Sequence, residues 1–119
     1  MNWQFSGDRP LYLQLVDHIR RDVVTGVWPP GSRLPGVREL ALQAGVNPNT
    51  MQRAMTELEQ DKLVMAQRTS GRYVTEDAEL IARLRMSIAK EVVGEFVQKI
   101  EALGYTKQEA ASLVKEVSE

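Results

Sequence analysis

Cysteine is absent from this chain of 119 residues, and His18 is its single histidine. The absence of cysteine excludes disulfides, thiolate metal sites and cysteine nucleophiles. One histidine leaves almost no material for a zinc site or for a serine–histidine pair. The chain is also too short for a two-lobed enzyme with a cleft between its lobes. We therefore expect a protein that is not an enzyme and needs no metal or cofactor.

Long hydrophobic runs are missing as well. No stretch approaches the roughly 18 apolar residues that a membrane span requires. The first five residues lack the basic region and apolar stretch of a signal peptide. These absences predict no membrane partner and a cytoplasmic location.

Charge of one sign is not in excess, since the formal net charge is −1. The average hides a difference between two parts of the chain. Residues 1–75 hold nine Lys or Arg against seven Asp or Glu, whereas residues 76–119 hold six against nine. Eight of the nine cations in the first part are arginine, whose planar guanidinium suits phosphates and guanine edges. A mixed solvated surface and a nucleic-acid-binding surface both remain compatible with residues 1–75.

Apolar periodicity and turn residues predict three helices and a hairpin in residues 1–75. The first helix runs from Pro10 to Thr25, and a second begins at Val37 and ends at Gly45. The third covers residues 48–60, with Asn47 as its N-cap. Two short strands, residues 63–67 and 72–75, flank a polar turn. This order predicts a winged helix-turn-helix domain, mainly α with a small β-hairpin.

Residues 76–119 predict a second domain made of two helices. A long helix covers residues 77–103, and the capping box formed by residues 106–109 starts a short one. A domain of 75 residues and one short helix cannot cover the whole apolar stripe of the long helix, so we expect this stripe to pair with a second copy of the chain. The alternative is that the stripe packs only within its own chain. The predicted dimerisation residues are Leu84, Ile88, Val92, Phe96, Ile100 and Leu103.

The segment from Val37 to Leu58 has the pattern of a helix-turn-helix, with a small residue, Ala41, at the crossing and Gly45 in the turn. With its apolar residues inside, the second of these helices presents Asn49, Thr50, Gln52 and Arg53 outward. These side chains can hydrogen-bond to base edges or phosphates in a major groove. A plain solvated face would instead carry Glu and Lys, and the first two turns contain no acid. The pattern therefore favours contact with DNA.

Several segments together resemble the DNA-binding domain of GntR-type transcriptional regulators. The resemblance covers about residues 8–75 and rests on residues 10–15 (PLYLQL), 31–41 (GSRLPGVRELA), 46–54 (VNPNTMQRA), 58–59 (LE) and 71–74 (GRYV). The short helical tail is similar to the YtrA-type branch, which lacks a large effector domain. Members of that branch are typically bacterial dimeric repressors, often of transporter operons.

The resemblance implies a set of DNA-contacting residues. It assigns Arg38, in the helix before the turn, and Asn47, Asn49, Thr50 and Arg53 of the following helix. Gln52 lies where some relatives carry a base-reading arginine, and Gly36 replaces the usual serine cap. In the wing, many relatives carry Gly-x-Gly where this chain has Ser70 and Gly71. Arg33 fits a structural role as well as a contact. The implied wing contacts are Arg68, Ser70, Gly71 and Arg72.

We therefore expect a sequence-specific DNA-binding regulator, a repressor that binds an inverted-repeat operator as a homodimer, with GT…AC-type half-sites implied by the resemblance. The main alternative is a winged-helix module that binds another protein and no DNA. A small enzyme is a third hypothesis, but no nucleophile–base pair can be assembled for it. The sequence leaves open whether a small-molecule effector binds, for instance in a groove between subunits.

Overall fold

The fold is taken from a computed structural model, which describes residues 3–67 and 70–117. Within these ranges the chain forms five helices and one antiparallel sheet of two strands. The fold class predicted from the sequence, mainly α with a small hairpin, is confirmed. In chain order the elements are α1 Leu11–Val24, α2 Val37–Ala44, α3 Pro48–Gln60, β1 Val64–Gln67, β2 Gly71–Val74, α4 Ala78–Ala102 and α5 Lys107–Val117.

The ends of the first helix differ by one residue from the prediction. Pro10 has extended dihedrals and is the N-cap of α1, and Thr25 is its C-cap. A proline suits this position because the first turn of a helix leaves its backbone N–H groups without partners in any case.

The hairpin forms the wing. Val64 lies opposite Val74 and Gln67 opposite Gly71. β1 begins one residue later than predicted, and β2 begins and ends one residue earlier than predicted. An isolated bridge between Arg33 and Tyr73 adds the segment before α2 to the edge of this sheet.

The core lies between the three helices and the wing. Leu15, Val16 and Ile19 of α1 are buried against the apolar face of α3, and α2 adds Leu40 and Ala41. Burial of such aliphatic side chains stabilises a fold by roughly 1.5–3 kcal/mol each before entropy is counted. The buried face of α3 consists of Met51, Ala54, Met55 and Leu58. Because α1 and α2 hold this face, the opposite face of α3 remains on the surface.

Aromatic side chains cover the outside of this core. Trp3, Phe5 and Trp28 are partly buried against it. The Trp3 ring stacks on His18 of α1 with 3.8 Å between ring centroids. The residues before and after α1 therefore complete the packing of the core.

The structure divides into two compact units, one ending at Leu84 and the other beginning at Arg85. We refer to them as the head and the tail. Ile81 and Leu84, on the first turns of α4, pack against the core of the head. The domain boundary after residue 75 stays a prediction.

The tail contains residues 85–102 of α4 and the whole of α5. Thr106 and Glu109 form the predicted capping box: the Glu109 carboxylate accepts from the Thr106 N–H at 2.9 Å, and the Thr106 hydroxyl accepts from the Glu109 N–H at 3.1 Å. An apolar groove of 460 Å³ is lined by Phe96, Ile100, Leu113, Val114 and Val117. In the part of the chain described, none of the helices is long and apolar enough to cross a membrane.

Candidate nucleic-acid interface

The turn between α2 and α3 is fixed by backbone geometry. Gly45 adopts a left-handed conformation with φ 72°, which a side chain would strain. The N–H of Val46 donates to the carbonyl of Ala41 at 3.0 Å, and Ala41 is buried where the helices meet. These features are those of the predicted helix-turn-helix.

The N-terminus of α3 is capped and carries no acid. The side-chain oxygen of Asn47 accepts from the N–H of Asn49 at 2.7 Å, and Pro48 is the first helical residue. Because the first turn contains no Asp or Glu, the positive end of the helix dipole is not compensated there. This end of α3 therefore favours an anionic partner such as DNA phosphate.

The outward face of α3 presents most of the predicted contact residues. Asn49, Gln52 and Arg53 are exposed, whereas Thr50 is half-buried. The Gln52 amide donates to the Thr56 hydroxyl at 3.3 Å, so its side chain lies along the helix surface. The structure brings these side chains together on one face, at the start and middle of the helix.

Asn47 differs from its neighbours because its side-chain oxygen is engaged in the cap. A contact of Asn47 with a DNA phosphate would use its amide nitrogen, since phosphate oxygens only accept hydrogen bonds. Asn47 therefore stabilises the fold, since the loss of such a helix cap lowers the free energy of unfolding by about 1 kcal/mol.

Arg38 is exposed near the start of α2. The N-cap of α2 is Gly36, which provides no side-chain hydrogen bond. The backbone N–H groups at this helix start are therefore not covered by a capping side chain. The predicted loss of the serine cap is observed.

The wing arginines are placed differently from one another. Arg68 lies outside the described residues. Arg72 is partly buried, and its Nε donates to the Glu59 carboxylate of α3 at 2.5 Å. In the described structure Arg72 thus connects the wing to the end of α3.

The wing turn contains Ser70, which is half-buried, and Gly71, whose φ is 99°. The Ser70 hydroxyl donates to Gln67 at 3.4 Å. A Cβ built on Gly71 would lie 3.3 Å from Nε of Arg33, so the Arg33 side chain lies against the wing. The sequence leaves the role of Arg33 open, and the structure places it beside the predicted wing contacts.

One contact at this face is not predicted from the sequence. The guanidinium of Arg53 lies over the ring of Tyr12, 3.7 Å from the ring centroid. Tyr12 lies three and four residues before Leu15 and Val16, a spacing that predicts burial on the same face of α1, but it is half-buried whereas Leu15, Val16 and Ile19 are buried. Helical spacing alone gives no signal for this pair, because its partners lie on different helices.

The predicted dimerisation residues fall in two environments. Leu84 packs against the head core. In the tail, Val92 is 47% and Leu103 74% exposed. Phe96 and Ile100 line the tail groove, and Ile88 is half-buried.

Among residues 3–67 and 70–117, no three His, Cys, Asp or Glu side chains are grouped so that they could hold a metal ion.

Comparison with known proteins identifies the family. The sequence profile described as "Bacterial regulatory proteins, gntR family" matches residues 11–74. The HTH-type transcriptional regulator YhcF of Bacillus subtilis is 39% identical over 100% of this chain and 98% of its own. The HTH-type transcriptional repressor YtrA of the same organism is 30% identical over 92% of this chain and 85% of its own.

Solved structures agree with this assignment. A GntR family transcriptional regulator from Listeria monocytogenes has a TM-score of 0.86 and 38% identity, covering 94% of this chain and 98% of its own. The AraR DNA-binding domain in complex with operator ORX1 has a TM-score of 0.58 and 25% identity, covering 63% of this chain and 96% of its own. The chain is therefore a DNA-binding transcriptional regulator that belongs to the GntR family, in its YtrA-type branch.

Proposed function

We propose that the protein is a repressor that binds an inverted-repeat operator as a homodimer, with α3 of each head in a major groove. The observation that carries this proposal is the exposed, acid-free start of α3, which presents Asn49, Gln52 and Arg53 on one face. A major groove about 12 Å wide admits one α-helix. This proposal places the protein in the cytoplasm, with its DNA.

The side chains of α3 suit base recognition. Asn49 and Gln52 carry amides that can pair with adenine, and the Arg53 guanidinium can pair with guanine or a phosphate. The Thr50 methyl group can contact a thymine methyl group. We assign sequence recognition to these residues.

Contacts with the DNA backbone are assigned to the flanking elements. Arg38 on α2, Asn47 at the helix cap and the wing residues Arg68, Ser70, Gly71 and Arg72 would position the head on the duplex. Arg72 would have to exchange its Glu59 partner for a phosphate.

The tail supports the homodimer. Its apolar groove and the exposed side chains of Val92 and Leu103 leave a surface that water solvates poorly. A second copy is the proposed occupant, since a twofold dimer matches an inverted repeat with half-sites about 10–10.5 bp apart or a multiple of this. We also assign Leu84, which packs against the head core, to the dimer interface.

One similar protein supports the repressor assignment, and another supports binding to an operator. YtrA is named a transcriptional repressor, and the AraR domain was solved on an operator. The alternative of a protein-binding module without DNA is not favoured, because the family is one of transcriptional regulators.

DNA recognition is tested by selecting duplexes from a random pool and measuring affinity by fluorescence anisotropy. We expect an inverted repeat, a steep salt dependence, and about tenfold weaker binding for Arg53→Ala and for Arg38→Ala, since a good contact is worth roughly 1–3 kcal/mol. Arg83→Ala is the control, because Arg83 is an exposed arginine on α4 that is not among the predicted DNA-contacting residues. Wild-type affinity in both test variants would refute the assignment of these residues, and no salt-sensitive binding of any duplex would refute the function.

Dimerisation is tested by light scattering without DNA. Leu103→Glu in the tail should shift the mass from dimer towards monomer. Leu42→Glu is a matched control, because Leu42 is 83% exposed on α2 and Leu103 74% exposed. A wild-type chain that stays monomeric, or equal effects of the two substitutions, would contradict the proposed interface.

A further inference from the structure

The contact between Tyr12 and Arg53 joins α1 to the outward face of α3. Tyr12 lies in the first turn of α1, and Arg53 lies on the outward face of α3, one turn after Asn49. The guanidinium carbon of Arg53 is 3.7 Å from the centroid of the Tyr12 ring. This distance is well inside the roughly 6 Å range of cation–π contacts.

The Tyr12 ring does little for the core. It is half-buried, and among the described residues it is not one of the hydrophobic side chains packed against the core of the head. The buried part of α1 begins three residues later, at Leu15. The close contact that the structure shows for this ring is therefore the one with the Arg53 guanidinium.

Stacking holds an arginine without using its hydrogen bonds. When a guanidinium stacks on a ring, the ring contacts its face, and the N–H donors point outward in the plane of the group. In the part of the chain described, no carboxylate forms an ion pair with Arg53. Arg72 shows the opposite arrangement, because Glu59 accepts from its Nε. Arg53 is thus held in place with its donors available.

A held side chain binds more tightly than a mobile one. An arginine that is free in solution loses rotamer entropy when it contacts DNA. If the side chain is restricted beforehand, this loss is smaller at the moment of binding. The strength of an exposed cation–π contact corresponds to about a two- to fivefold effect on an equilibrium constant.

We propose that Tyr12 is a positioning residue for DNA recognition, whose ring holds the Arg53 guanidinium over the outward face of α3 with its donors directed at the DNA. This inference rests on the proposed function, in which Arg53 contacts the operator. Tyr12 acts through Arg53 and makes no base contact of its own.

The binding test is a double-mutant cycle on the full chain, with the selected operator duplex at one fixed salt concentration. Tyr12→Leu should weaken binding about two- to fivefold, and Tyr12→Phe should bind like wild type because it keeps the ring face. In the Arg53→Ala background, Tyr12→Leu should have no further effect. Tyr12→Met serves as a second variant without a ring, and thermal unfolding without DNA checks that each variant is folded.

The outcomes separate the two proposals. If Arg53→Ala weakens binding and Tyr12→Leu does not, the positioning role is refuted and the proposed function stands. If Tyr12→Phe is as weak as Tyr12→Leu, or if the loss persists in the Arg53→Ala background, the ring face is not what acts and the inference is overturned. If Arg53→Ala binds like wild type, the assignment of Arg53 fails.

A second measurement needs no DNA. In proton NMR spectra of the free protein, the Tyr12 ring current should shift the Arg53 side-chain signals upfield. We expect the shift to remain in Tyr12→Phe and to disappear in Tyr12→Leu. Arg53 signals at their ordinary positions in the wild-type protein would overturn the inference independently of any operator.

Discussion

Replacing Gly45 with alanine tests whether the helix-turn-helix depends on the left-handed backbone of its turn. Gly45 has φ 72°, and a Cβ built there meets nothing within 4 Å. The change therefore introduces backbone strain without a clash. Left-handed dihedrals cost a residue with a Cβ roughly 1–2 kcal/mol, and the stiffer unfolded chain offsets about 0.4–1 kcal/mol of this. We expect the free energy of unfolding to fall by about 1 kcal/mol.

The assay is urea unfolding at one fixed protein concentration, because the proposed homodimer would make stability concentration-dependent. Gly94→Ala is the matched control, since Gly94 lies within α4, is exposed and has no neighbouring atom within 4 Å of the place a Cβ would take. There the same methyl group should stabilise the helix by about 0.5–1 kcal/mol. Gly45→Asn should cost less than Gly45→Ala, since asparagine tolerates left-handed dihedrals. A Gly45→Ala variant as stable as wild type would refute the argument.

Two further predictions concern the ends of α3. Asn47→Ala should lower the free energy of unfolding by about 1 kcal/mol because the cap to Asn49 is lost. Asn47→Asp should keep the wild-type stability in urea unfolding and yet weaken operator binding, since it adds negative charge at the proposed DNA-binding surface. Equal affinity of Asn47→Asp and wild type would contradict this. Glu59→Gln should free Arg72 for a phosphate, tightening operator binding about two- to fivefold and steepening its salt dependence in anisotropy titrations. Glu57→Gln removes the same charge from α3 without breaking that pair, and equal gains in both variants would argue against a role for Arg72.

The element boundaries could be predicted from the sequence because local chemistry sets them. Pro10 and Asn47 start helices, Gly45 ends one, and the capping box from Thr106 to Glu109 starts another. Each signal depends on dihedrals or hydrogen bonds within about five residues. The outward face of α3 could be predicted in the same way, since the residues of the buried helical face determine which residues lie on the opposite, exposed face.

Contacts between elements could not be predicted, because they depend on how the elements pack. The Arg53 guanidinium meets the ring of Tyr12, 41 residues earlier in the chain, and Arg72 of the wing meets Glu59 of α3. Leu84 fits the apolar stripe of α4 by spacing, yet it packs against the head core. Hydrophobic periodicity identifies a buried face and does not say which neighbour covers it.

Both tryptophans lie in the head, so the two units differ in their fluorescence. Trp3 and Trp28 both pack against the head core, and they are the whole tryptophan content of the chain. Intrinsic tryptophan emission therefore reports melting of the head alone, whereas far-ultraviolet circular dichroism sums the helices of both units. Recording the two signals on one sample distinguishes a tail that melts by itself from a chain that melts in a single cooperative transition.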